Sequence, residues 1–154
     1  MSIPTVGETQ SEYPETLQSS PVDVGQAVNS ESGEMVARIE QQLAADAEYA
    51  ADSQSAVPTK AAKDICLTLA ERLAPHVVLA PQLKAGAFVE DEGGISLVLQ
   101  SLVTDRRVNY RIPRQGGSLT VIQIDERMVA KSTTVSLDDR SATREFAKWV
   151  TTRA

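Results

Sequence analysis

The chain is short of the residues that build the commonest reactive sites. One cysteine, Cys66, among 154 residues cannot close an internal disulfide or supply a thiolate cluster for zinc. A reducing compartment is the natural expectation. One histidine, His76, leaves no second imidazole for a metal, so a metal site here would rest on carboxylates alone. No Gly-x-Ser-x-Gly elbow occurs, and neither double glycine, Gly93-Gly94 or Gly116-Gly117, carries the Gly-Lys-Ser/Thr ending of a phosphate loop. No apolar run approaches the ~20 residues that cross a bilayer. Met1-Ser2-Ile3-Pro4 lacks the basic start and apolar stretch of a signal peptide. The expectation is a soluble, cytoplasmic protein without a membrane partner. Aromatic residues make up 4% of the chain, so the core must be aliphatic.

Basic residues are absent from positions 1–37, where Glu8, Glu12, Glu15, Asp23, Glu31 and Glu34 stand unopposed. The remaining acidic residues balance the 15 lysines and arginines, so the net charge of −6 belongs to the N-terminal segment. An acidic total therefore does not exclude nucleic-acid binding by the rest. Pro4, Pro14 and Pro21 with many polar residues and no apolar period read as a disordered acidic tail over residues 1–33. Residues 34–154 read as a single domain.

Within that domain a helix is expected from Glu34, capped by Ser32, with Met35, Ile39, Leu43 and Ala47 as its apolar stripe. Pro58 marks a second helix start, Ala62, Ile65, Cys66, Leu69 and Leu73 its buried stripe, and Pro75 its end. Val77–Ala80 reads as an extended lead-in to a sheet. Five strand signals follow: Ala85–Glu90, Ile95–Leu102, Arg107–Ile112, Ser118–Ile124 and Met128–Val135. Glu92-Gly93-Gly94, Asp105-Arg106, Gln115-Gly116-Gly117 and Asp125-Glu126 separate them, as hairpin turns do. A last helix opens after Ser136 and Asp139, at capping-box spacing, with Ala142, Phe146, Trp149 and Val150 inward. The fold class is α+β: a five-stranded antiparallel meander with helices on one face.

The densest functional signal is Arg106-Arg107-Val108-Asn109-Tyr110-Arg111-Ile112-Pro113-Arg114. Strand alternation turns Val108, Tyr110 and Ile112 to one face and Arg107, Asn109 and Arg111 to the other. Guanidinium forks suit carboxylates and phosphates. Arg106, Arg107, Asn109, Arg111 and Arg114 are thus the candidate partner-binding residues. Nucleic acid is the weaker alternative, because the one nearby aromatic, Tyr110, points to the opposite face. The acidic pairs Asp91-Glu92 and Asp138-Asp139 have ordinary turn and helix-start reasons to be acidic. No catalytic residue, metal or cofactor is assigned, and a cofactor-free enzyme is the least supported alternative.

Two segments carry a family likeness. Asp52-Ser53 and Ala56 match a Trp-Asp-Ser-Tyr-Gly-Ala helix start, with Ala51, Gln54 and Ser55 where Trp, Tyr and Gly are usual. Gly93-Gly94-Ile95-Ser96-Leu97 matches an Asp-Gly-Gly-hydrophobic-x-Leu-Glu-Trp hairpin, Val98 and Leu99 replacing the Glu-Trp pair. Val121-Ile122-Gln123-Ile124-Asp125 stands as the following strand. Over residues 45–135 the chain thus resembles a widespread, uncharacterised family of small bacterial α+β proteins. The resemblance implies a non-enzymatic, antitoxin-like or immunity-like partner protein in a bacterial toxin–antitoxin or defence operon. The expected partner is another protein, with the acidic tail binding in trans or covering the arginine face. A homodimer through a sheet edge is a further expectation.

Overall fold

The computed structural model describes residues 21–152. Helix α1 spans Pro21–Asp52 and α2 Lys60–Val78. Strands β1 (Leu83–Val89), β2 (Ile95–Ser101), β3 (Arg107–Ile112), β4 (Leu119–Ile124) and β5 (Ala130–Val135) follow, and α3 (Arg140–Thr151) closes the chain. The strands form one antiparallel sheet in the order β1-β2-β3-β4-β5, the meander expected from the turn signals.

Strand alternation splits the sheet into two unlike faces. Ala87, Ile95, Leu97, Leu99, Val108, Tyr110, Ile112, Leu119 and Val121 turn to one side and are buried. The helices pack there. Met35, Ile39 and Leu43 of α1 and Ala62, Cys66, Leu69 and Leu73 of α2 join the same core, as their spacing requires. From α3 come Ala147 and Val150, with Phe146 and Trp149 half-buried beside them. Ala142, expected on that stripe, lies outside the described side chains. Phe146 meets Tyr110 edge-on at 6.3 Å between ring centroids.

Helix boundaries depart from the expectations in three places. Helix α1 begins at Pro21, so positions 21–33 are helical rather than tail, and Ser32 sits inside the helix instead of capping it. Proline suits a first turn. The pattern concealed this start because 21–33 carry no apolar period and two glycines, Gly25 and Gly33, which weaken a helix on propensity alone. Positions 1–20 of the expected tail lie outside the described residues. Helix α2 is capped by Thr59, whose side chain accepts from the Ala62 amide. It runs through Pro75 to Val78, so Val77 and Val78 are helical and not an extended lead-in. A proline this close to a C-terminus removes one intrahelical bond, the one that the carbonyl of exposed Glu71 would have accepted.

The β1–β2 hairpin closes with Glu90 N donating to Gly94 O and Gly93 N to Glu90 O. Gly93 takes φ +90°, and a Cβ there would lie 2.7 Å from Arg114 Cδ. The positive φ calls for glycine, and a side chain there would also have to displace that of Arg114. The β4–β5 turn uses the same bond pattern around Asp125, with Met128 at φ 65° in the position Gly93 holds.

Candidate functional site

Sheet register assembles the open face row by row. Val98 of β2, Asn109 of β3 and Ile122 of β4 lie across from one another, as do Gln100, Arg107 and Ile124, and Ser96, Arg111 and Thr120. Phe88 of β1 pairs with Ser96 at one margin and is 46% exposed. The result is a polar spine of Arg107, Asn109 and Arg111 along β3 with apolar side chains on either flank. No described helix covers it.

The spine is unevenly neutralised. Arg111 forms a forked pair with Glu90, Nε to Oε2 at 3.0 Å and one terminal nitrogen to Oε1 at 2.7 Å. Ser96 Oγ also donates to Glu90. Arg107 makes no ion pair among the described residues, and its Nε is shielded from water without a partner. Asn109 Oδ1 is likewise buried and unpaired on the same strand face. Unpaired polar atoms shielded from water are costly; Arg107 Nε lacks an acceptor, which a carboxylate can supply, whereas Asn109 Oδ1 lacks a donor.

Two of the five candidate residues also make contacts that hold the fold together. Arg106 is buried on the helix side: its Nε meets Glu126 at 3.0 Å, one terminal nitrogen meets the Trp149 carbonyl at 3.1 Å, and its guanidinium lies 4.7 Å from the Trp149 ring centroid. Arg114 Nε donates to the Val57 carbonyl at 2.8 Å, while its own carbonyl accepts from the Thr59 amide and hydroxyl. It ties the β3–β4 turn to the α1–α2 connection. Arg107, Asn109 and Arg111 form the shared face, and exposed Arg114 lines the cleft beside Arg111.

Glu90 was not expected from the sequence, where it stands only as a strand-end residue. The Arg111 guanidinium holds its carboxyl below the usual glutamate range, against a partial burial that opposes this, with Ser96 assisting. A depressed folded-state value contributes stability above the unfolded value and loses it as pH falls through the folded one. Glu90→Gln is therefore expected to flatten the acid limb of stability against pH, below the ordinary glutamate range, in urea titrations at stepped pH. Parallel acid limbs for both proteins would remove this coupling.

Among the described residues other reactive groups do not converge. Glu90 and Glu92 line a cleft of about 400 Å³ with Arg111, Ile112 and Thr120. A carboxylate held ionised by arginine is poorly suited to act as a general acid. His76 sits beside Leu79, Leu83 and Arg144, at the opposite end of β1 from Asp91 and Glu92. Burial pushes the Cys66 thiol up to about 12, which suppresses thiolate chemistry. Among the described residues no group of three or more His, Cys, Asp or Glu is placed to hold a metal ion. No described helix is long and apolar enough to cross a membrane.

No family model, curated protein or solved structure matches this chain.

Proposed function

We propose that the chain is a non-enzymatic protein-interaction module that docks an acidic segment of a partner protein on its open sheet face. The single observation that carries this reading is Arg107 at the centre of that face, without an ion pair among the described residues and with its Nε lacking an acceptor. Flanking Val98, Ile122 and Ile124 supply apolar contact of the kind that surrounds interface arginines. A carboxylate arriving at Arg107 would gain a forked, charge-assisted contact in a site already partly dry. Glu90 shows the same chemistry in cis at Arg111. An antitoxin-like or immunity-like role in a bacterial operon fits such a face and follows from the family resemblance. Nucleic acid is less well served, because Glu90 already neutralises one of the arginines and the exposed aromatic of this face, Phe88, stands at the β1 margin, away from Arg107.

The test is capture from native lysate on immobilised full-length protein, wild type and Arg107→Glu, with and without nuclease. A discrete protein recovered regardless of nuclease, and bound at least about tenfold more weakly by the variant, is the expected outcome. Capture that survives Arg107→Glu unchanged would sink the assignment. Capture abolished by nuclease would transfer the face to nucleic acid.

A further inference from the structure

The two edges of the sheet are treated differently, and the difference can be traced group by group. In an antiparallel hairpin, alternate residues direct their backbone N–H and C=O to the neighbouring strand and the others direct theirs outward. The Glu90–Gly94 bond sets this phase for β1 and leaves Ala85, Ala87 and Val89 facing outward. Helix α1 meets those residues. Arg38 donates to the Ala85 carbonyl at 3.2 Å, Gln42 Oε1 accepts from the Ala87 amide at 3.1 Å, and Asp46 Oδ2 accepts from the Val89 amide at 3.2 Å. Side chains at i, i+4 and i+8 of one helix thus stand in for a missing strand.

The β5 edge has no such cover. The bond from Asp125 N to Val129 O sets its phase, so Lys131, Thr133 and Val135 bond to β4 while Ala130, Ser132 and Thr134 direct theirs outward. Among the described residues nothing bonds to that outward row. Ala130, Lys131, Ser132 and Thr134 are all exposed.

We propose that β5 pairs antiparallel with β5 of a second copy of this chain, about a two-fold axis through Ser132. Pairing opposite residues must keep side chains on a common face, which restricts the axis to a residue rather than a gap between two. Bonding through the outward row selects Ser132, since Ala130 then faces Thr134 of the second copy and the whole row is satisfied. In this register exposed Val129 stands opposite Val135, apolar against apolar, and Lys131 opposite Thr133, with no like charges face to face. At the β4–β5 turn Asp125 is engaged by the Arg127 and Val129 amides and by the Arg127 charge, and Glu126 by Arg106, so the charges of the turn pair off within one copy and do not oppose the seam. The sheet becomes continuous through both copies, and both open faces lie on the same side of it. This pairing is independent of what the open face binds.

Sedimentation equilibrium of the full chain reads the association directly. A dimer is expected, and Ser132→Lys or Ser132→Asp alone should weaken it at least about tenfold, because the axis sets the new charge against its own copy. An equal mixture of the two variants should recover dimers. Ser132 is an exposed open-face side chain, so both variants retain the fold, which circular dichroism verifies. Amide exchange at Ser132 and Thr134 should slow as protein concentration rises. A chain that stays monomeric, variants that dimerise as tightly as wild type, or a mixture that fails to associate would each overturn the proposal.

Discussion

Arg106→Ala is expected to lower the free energy of unfolding by about 3 kcal/mol, from the loss of a desolvated cation–π contact together with charge-assisted hydrogen bonds. The side chain lies under Trp149, the tryptophan that anchors α3, and bonds the carbonyl of the same residue. Thr104 makes a parallel link, its hydroxyl donating to the Val150 carbonyl at 2.6 Å. The β2–β3 turn therefore holds the last turn of α3, and Arg106 is its main grip. Arg106→Lys should recover little, because an ammonium cannot stack and fork together. Urea denaturation followed by Trp149 fluorescence measures both variants. A loss below about 1 kcal/mol for alanine would show that the stack is incidental. Arg107→Ala is the matched control: one position along the chain, on the opposite face, it should leave stability nearly unchanged.

Replacing Gln42 and Asp46 together by alanine is the second large effect, expected at about 2–3 kcal/mol from two partly buried hydrogen bonds, one of them to a carboxylate. Alanine is the better helix former, so helix propensity works against the loss and cannot explain it. The signature is local. Hydrogen exchange at the Ala87 and Val89 amides should accelerate well beyond that of β2 and β3, because these donors lose their only acceptors. An uncovered β1 edge also becomes available for pairing with other chains, so the double variant should aggregate at concentrations the wild type tolerates. Unchanged exchange at both amides would mean that α1 docks by its apolar stripe alone.

The open face was legible in part. Alternation in Arg107–Ile112 is enough to separate the arginine face from the core face, because side chains two apart on a strand share a side. The β3 boundaries expected from that pattern are those observed. Arg106 misled for a physical reason. It stands in the β2–β3 turn, ahead of β3, and the turn carries it to the helix side. The fold contact of Arg114 was not legible, since its bond to Val57 joins residues 57 positions apart. Glu90 and the edge-covering trio of Arg38, Gln42 and Asp46 were legible only as polar residues. The i, i+4 spacing of that trio beside the apolar stripe of α1 was the available signal, but spacing does not say that a strand edge waits opposite.

Local rules therefore account for the elements and their order. Apolar period selects helix or strand, glycine and aspartate place the turns, and short turns make neighbouring strands antiparallel neighbours in space. These follow from contacts between residues close in the chain, which a pattern in one dimension records. Partnerships between distant residues were decided only by the packed structure. Whether an arginine supports the fold or faces outward, and which sheet edge α1 covers, depend on how helices settle on the sheet. That settling is driven by burial of the aliphatic core, which is nearly indifferent to direction, so charged and polar side chains take the partners the packing brings within reach.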